Sequence, residues 1–355
     1  MQCKLGEVKN PVWPGRTFFT TSVSGGMLPA AVYIPPNHNA AANVLNVLLF
    51  LHGFYVGSTE ALTNSDNCRL CEQVIASGKD IVLVAPWLGH KKGRGIENGI
   101  LQTDRLANAK YGEQFLTAIV EALPAPSTAT VVASAAIGGA DAVSGAGPVV
   151  KFTPPPKLTI KNLVVACHSA GGVAMRNIVG TLGAFEGKLR ECVGLDCLYN
   201  DGDAKFWHNR AQEPRASPAY FFYGPSTIPE SIKLHLMAQG RADALGNRRE
   251  PPGPALGNLV VRPGHISSFM SGGVTTNVSG YIDKVADDLI ARAKPPAAAP
   301  ARPTAAKDGE FVKQAAENFR AGYIFPFNDS DARGGIHYFI ARAFLLERLR
   351  NVTLP

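Results

Sequence analysis

Residues 163–172 read Leu163-Val164-Val165-Ala166-Cys167-His168-Ser169-Ala170-Gly171-Gly172, and the rest of the chain is organised around them. Leu163 to Ala166 is apolar and largely β-branched, the composition of a strand buried on both faces. A serine and two glycines follow, and then an apolar-periodic stretch from Val173 to Leu182. That order predicts buried strand, sharp turn, helix. Such a turn pushes its central side chain into a strained, exposed position, and small neighbours let the helix pack back on the strand. Ser169 is then a candidate nucleophile, and the N–H of Ala170, at the helix start, a candidate oxyanion donor. A serine that merely caps a helix has the same outline, so the reading depends on partners elsewhere.

Upstream, Val47 to Leu51 is fully apolar and predicts a buried parallel strand. It ends in His52-Gly53-Phe54-Tyr55. A glycine there lets the backbone turn, so that the N–H of Phe54 or Tyr55 faces a reacting carbonyl. An ordinary strand-end turn with His52 satisfied in the core is the plainer reading. Taken in order, His-Gly after one buried strand and the serine elbow after a later one resemble the α/β-hydrolase superfamily, in its serine esterase and lipase-like form. The elbow departs from the family pattern at Cys167, which stands where the first glycine usually sits. The resemblance implies an α/β-hydrolase fold: a mostly parallel central sheet with helices on both faces, with insertions. It also implies an oxyanion hole from Phe54 and Ala170.

The chain has 355 residues, 46% hydrophobic and 18% charged, which suits one large core. The net charge of +7 comes without a run of basic residues. His90-Lys91-Lys92-Gly93-Arg94 is the densest patch and reads as a solvated loop, so no nucleic-acid partner is expected. No stretch has the length of a membrane span or the make-up of a signal peptide, which sets a cytoplasmic expectation. Six cysteines in a chain of this length do not make a disulfide scaffold. Cys68-Arg69-Leu70-Cys71 has half of a zinc-site spacing with no second pair, and reads as i, i+3 neighbours on a helix over 58–77. Cys167, Cys192 and Cys197 read as small core residues. Neither a metal nor an organic cofactor is expected.

Phe18 to Val23 and Leu28 to Ile34 predict antiparallel edge strands, and 80–86 a parallel one. Trp87 follows the latter at the edge where ligands bind in α/β sheets, so Trp87 and Tyr55 are candidate pocket residues. Residues 134–150 are rich in Ala and Gly, and the span 125–157 reads as a loop or lid insertion. Strands are expected at 191–199, 219–224 and 259–262, and helices at 111–123, 229–244 and 278–293. A Pro/Ala-rich linker covers 294–308. The segment 309–355 is too short to fold alone and is expected to pack back on the sheet of a single domain, 1–355.

Asp196 ends the 191–199 strand, at a station where this architecture can hold a triad acid. Leu195-Asp196-Cys197-Leu198-Tyr199 resembles a bacterial subset of the family that takes its acid after the sixth strand. Asp243 is the alternative. For the base, His337 opens the last helix behind Gly334-Gly335, and His265 follows the eighth strand; His337 is preferred for its likeness to the same subset. Ser169, Asp196, His337 follow the chain order of these hydrolases. The resemblance implies hydrolysis of a small-molecule or lipid-like carboxylic ester. A thioesterase, amidase or acyltransferase with the same triad, and a non-catalytic binding protein on the same fold, remain alternatives.

Overall fold

The computed structural model describes residues 3–5, 16–22, 27–39, 43–54, 56, 59–64, 68, 70–89, 91–93, 96–101, 103–123, 129–132, 149–152, 158–200, 202–224, 227–243, 251–263, 340–341 and 344–355. Its strands are β1 (Cys3–Leu5), β2 (Arg16–Ser22), β3 (Ala30–Ile34), β4 (Val44–Leu51), β5 (Val82–Pro86), β6 (Lys91–Gly93), β7 (Ile96–Ile100), β8 (Ala129–Val132), β9 (Val149–Phe152), β10 (Thr159–His168), β11 (Leu189–Leu195), β12 (Ala219–Tyr223) and β13 (Leu259–Pro263). The helices are α1 (Thr59–Asn64), α2 (Leu70–Ser77), α3 (Tyr111–Ala122), α4 (Gly171–Val179), α5 (Asp203–Ala211) and α6 (Ile228–Ala238), with a further helical stretch over 344–351.

Nine strands form one sheet in the order β1-β2-β3-β5-β4-β10-β11-β12-β13. From β5 to β13 every pairing is parallel, and β1, β2 and β3 extend one side antiparallel. Alternation along each strand divides the core into two layers. Leu49, Leu51, Val165, Cys167 and Phe221 face α3, α4, α5 and α6. Leu48, Phe50, Val164, Ala166 and Phe222 face α1, α2 and the segment from 340 onward. Central strands buried on both faces explain the unbroken apolar runs of β4 and β10.

Residues 340–341 and 344–355 complete the second layer. Phe344 stacks on Phe222 with centroids 4.4 Å apart. Arg348 donates to both carboxylate oxygens of Glu191, at 3.2 and 2.7 Å, and lies 3.6 Å over the Tyr220 ring. Gln73 donates to the Ala341 carbonyl, tying α2 to the same segment.

The differences from expectation are local. The expected helix over 58–77 is two helices, and α2 begins at Leu70, so Cys68 lies off it with its thiol 3.9 Å from His168 Nδ1. Helix α6 ends at Ala238 and not near 244: Gly240 takes a φ of +71° there, and the N–H groups of Arg241 and Ala242 both turn back to the Leu236 carbonyl. The basic patch contributes to a small ribbon, β6 with β7, and β8 pairs with β9 at the base of the expected insertion. Most of 125–157, the helix expected over 278–293, the linker 294–308, and 309–339 lie outside the described residues. No helix among the described residues is long and apolar enough to cross a membrane.

Candidate active site

Ser169 sits at the carboxyl end of β10, between its neighbours β4 and β11, with α4 starting at once behind it. Its φ is +56°, a left-handed value that is uncommon outside glycine and costs roughly 1–3 kcal/mol. Two bonds hold that geometry: Ser169 N–H donates to the Leu195 carbonyl at 3.0 Å, and Gly172 N–H to the Ser169 carbonyl at 3.1 Å. The glycines let α4 lie close to the sheet. A Cβ on Gly171 would stand 2.3 Å from the Leu51 carbonyl oxygen, and one on Gly172 would stand 2.1 Å from that of Cys197.

The departure at Cys167 also has a local explanation. Cys167 is in register with Gly194 of β11, and its buried thiol hydrogen-bonds that of Cys197. A Cβ on Gly194 would come within 2.8 Å of the Cys197 sulfur. The glycine thus makes room for the Phe221 ring and for the Cys197 sulfur that Cys167 bonds.

On the β4 side, Gly53 is pressed against the serine: a Cβ there would lie 2.6 Å from Ser169 Cβ and 3.0 Å from its Oγ. The buried His52 ring sets this loop. Its Nε2 accepts the Leu88 N–H at 2.8 Å, so the proton is on Nδ1, which donates to the Gly53 carbonyl at 2.6 Å. Trp87 donates its indole N–H to the Val56 carbonyl at 2.9 Å, bracing the same loop from the end of β5. Phe54 follows Gly53 and is 36% exposed. Across the serine, the first amides of α4, from Ala170 onward, have no partner within the helix.

On the β11 side, Asp196 is buried at 2% exposure and takes a φ of +47°. Its Oδ1 accepts from Gly224 N–H at 2.8 Å and from Thr227 Oγ1 at 2.6 Å, both in the β12–α6 turn. Its Oδ2 looks past Gly224, where a Cβ would meet Oδ2 at 3.0 Å and Ile340 Cδ1 at 3.1 Å. Asp243 lies at the opposite edge of the sheet. It follows α6, whose last turn is tied through Leu256 to the segment that starts β13, and 11 residues of helix span about 16 Å. His337, His265 and Tyr55 lie outside the described residues.

Tyr199 is a site residue that the sequence reading quoted and gave no role. The residue is 44% exposed, yet its phenol oxygen accepts a hydrogen bond from the Ser169 side chain. Burial of that hydroxyl, then the Asp196 carboxylate, push the phenol well above its ordinary pKa, and the bond to Ser169 only partly offsets them. The loop is held from below: Asn200 N–H donates to Asp203 Oδ2 at 3.1 Å, and Arg176 of α4 pairs with Asp203 Oδ1 at 2.9 Å.

Without the extra edge strand β1, the large sheet runs first, second, fourth, third, fifth, sixth, seventh, eighth in chain order. Only the pairings made by the first and second strands are antiparallel, and the nucleophile-type elbow follows the fifth. The chain has the α/β-hydrolase fold. Among solved structures, it is similar to a Pyrobaculum calidifontis esterase at 12% identity and a TM-score of 0.31, over 75% of this chain and 81% of that one. It is similar to Thermogutta terrifontis esterase 2 phosphonylated by sarin at 16% identity and a TM-score of 0.34, over 79% and 95%. Against the carboxylesterase CesB of Bacillus subtilis the figures are 12% and 0.25, and the match spans about half of each chain, 58% and 52%. No protein-family model matches the sequence, and no curated protein does. The fold assignment rests on the strand order.

Among the described residues no group of three or more His, Cys, Asp or Glu side chains is placed to hold a metal. Thr227 is the other site residue that the sequence reading passed over. Thr227-Ile228-Pro229-Glu230 has the pattern of a helix start, but the hydroxyl makes no cap bond and goes to Asp196 instead. Nothing local in the sequence signals that choice.

Proposed function

We propose that the chain is a serine hydrolase that cleaves a carboxylic ester through an acyl-enzyme. The observation that carries this reading is Ser169, in a strained left-handed conformation at the strand–helix elbow, with Gly53 against it and the Tyr199 hydroxyl on it. Strain of this kind persists only where surroundings over-determine it, and it collects at functional sites.

Ser169 Oγ attacks the ester carbonyl and gives its proton to His337, since serine is a poor nucleophile without a base. The amides of Phe54 and Ala170 hold the oxyanion. Asp196, with its Oδ1 engaged by Gly224 and Thr227, orients the imidazole through Oδ2 and stabilises its charged form. His337 then protonates the leaving alkoxide. Water, deprotonated by the same histidine, clears the acyl group and restores Ser169. Tyr55 and Trp87 are proposed to line the acyl pocket, Trp87 with its ring only, because its N–H is engaged by Val56. The substrate is a small-molecule or lipid-like ester.

What supports His337 over His265 is Ile340, whose side chain lies beside Gly224 next to Asp196. Three residues of chain reach at most about 11 Å. His265, two residues beyond β13, enters from a strand that is not a neighbour of β11.

Fluorophosphonate labelling with mass-spectrometric site mapping tests the reading on wild type, His337→Ala and His265→Ala. The expected result is a label on Ser169 that is lost only in His337→Ala. Loss only in His265→Ala keeps the enzyme and moves the base. No label on folded wild type favours a binding protein on this fold. Rates on matched ester, thioester and amide substrates separate an esterase from a thioesterase, amidase or acyltransferase.

A further inference from the structure

Cys68, just ahead of α2, belongs to a small polar cluster that reaches the elbow. It is partly exposed, and its thiol is 3.9 Å from Nδ1 of His168, within reach of a hydrogen bond to sulfur. His168 is buried and immediately precedes Ser169. Gln73 of α2, 5% exposed, donates its Nε2 to the Cys68 carbonyl at 2.6 Å and to the Ala341 carbonyl at 3.2 Å. Both partners are acceptors, so the amide is fixed in that sense. Its Oε1 is left buried with no hydrogen-bond partner among the described residues. An orphaned acceptor is costly, and this one lies beside a thiol that solvent reaches, where a small polar group can donate to it.

The other cysteines have no such setting. Burial, then the Glu72 carboxylate, push the Cys71 thiol up to about 12. Burial also pushes Cys192 up to about 12 and Cys197 well above the ordinary range, and Cys167 is fully buried. Among the cysteines whose side chains are described, Cys68 alone combines access with an imidazole.

We propose that Cys68 is a thiol–disulfide exchange site for a small-molecule disulfide with a polar tail, and that the adduct shuts down Ser169. Only the second half rests on the serine-hydrolase reading above. The S–H proton of Cys68 passes to His168 Nδ1, and the thiolate attacks one sulfur of the disulfide. A bond forms between Cys68 Sγ and that sulfur. The original S–S bond breaks, its electron pair leaves on the second sulfur, and that sulfur takes the proton from His168. One thiol and one disulfide become one mixed disulfide and one free thiol. The polar tail donates to Gln73 Oε1.

The effect on Ser169 follows from the chain. His168 is in register with Leu195, whose carbonyl accepts the Ser169 N–H. A group on Cys68 Sγ has to fit beside the His168 ring, and moving that ring disturbs the strained turn that follows it.

The test treats the full chain with bis(2-hydroxyethyl) disulfide, a neutral probe, and maps adducts by mass spectrometry. Cys68 should take the adduct at least about tenfold faster than Cys71. As it forms, fluorophosphonate labelling of Ser169 should slow by about 10- to 100-fold, and dithiothreitol should reverse both changes. Cys68→Ser should label at the wild-type rate with or without the disulfide; slowing by the disulfide in that variant would assign the effect to another thiol and overturn the proposal. In His168→Gln the lead of Cys68 over Cys71 should shrink to below about threefold, and a lead that persists would overturn the part given to the imidazole. Cys68 that reacts no faster than Cys71 would overturn the exchange site. An adduct on Cys68 that leaves labelling at full rate would overturn its control of Ser169. Untreated wild type that takes no label on Ser169 would instead overturn the serine-hydrolase reading, while the ratio of the two cysteines still decides the exchange site.

Discussion

Gly53 and Ser169 meet so closely that there is no room for one methyl group between them. Gly53 has no left-handed φ, so alanine suits its backbone, and the difficulty is the 2.6 Å between the new Cβ and that of Ser169. The serine cannot retreat, because its amide is bonded to Leu195 and its carbonyl to Gly172. Its side chain must rotate away from Tyr199, or the 52–54 loop must lift. Misplacing a nucleophile by about 1 Å costs about 100-fold. Gly53→Ala should therefore lower the rate of fluorophosphonate labelling at Ser169 by about that factor, while circular dichroism and the thermal midpoint change little. Labelling at the wild-type rate would mean that the loop yields freely.

At the scale of elements, the contact that matters is α4 against the ends of β4 and β11. Helix propensity alone favours alanine over glycine by about 1 kcal/mol, so Gly172→Ala would be stabilising in an isolated helix. Here the added methyl would fall 2.1 Å from the Cys197 carbonyl oxygen, backbone that cannot turn aside. Overpacking of this kind costs about 1–3 kcal/mol and outweighs the propensity gain. The expected result is a lower midpoint in urea unfolding, together with weaker labelling, because lifting α4 also moves Ala170. An unchanged or raised midpoint would show that the helix shifts without cost. Residue and element are coupled here: the same glycines that admit the helix hold Ser169 in its strained turn.

For the molecule as a whole, the last residues of the chain close one face of the sheet. Their polar anchor is the pair between Arg348 and the buried Glu191, 157 positions apart in sequence. Burial raises the Glu191 pKa, and Arg348 pulls it back only in part. Arg348→Met should cost about 3 kcal/mol at about pH 8, since it leaves a carboxylate buried without its partner. The sign with pH follows from the direction of the shift. A carboxyl whose folded pKa lies above its unfolded one holds its proton more readily when folded, so the penalty grows as pH rises above the ordinary carboxylate value. The stability gap between wild type and variant should thus narrow toward about pH 5, read as the difference between two urea titrations. A gap that is constant or widens in acid would mean that the loss is one of packing over Tyr220, not of charge.

What the sequence determined by itself was whatever a short window can hold. The apolar runs of β4, β10, β11 and β12, the glycines behind Ser169 and the His52-Gly53 turn are local patterns with local causes, and together they imply the fold class. Helix α5 escaped notice because Lys205, His208, Asn209 and Arg210 blur its periodicity. The rest was decided by tertiary structure, because it depends on which ends of the elements meet. Asp196 is the preferred acid along the chain and Asp243 the alternative; they fall at opposite edges of the sheet because α6 runs antiparallel to the parallel strands β12 and β13. Gly194 makes room for Phe221 and Cys197, Thr227 turns to Asp196, and Tyr199 meets Ser169, each across a distance that no periodicity records. Contacts of that kind follow from strand order and crossover direction, and those are set when the whole core packs.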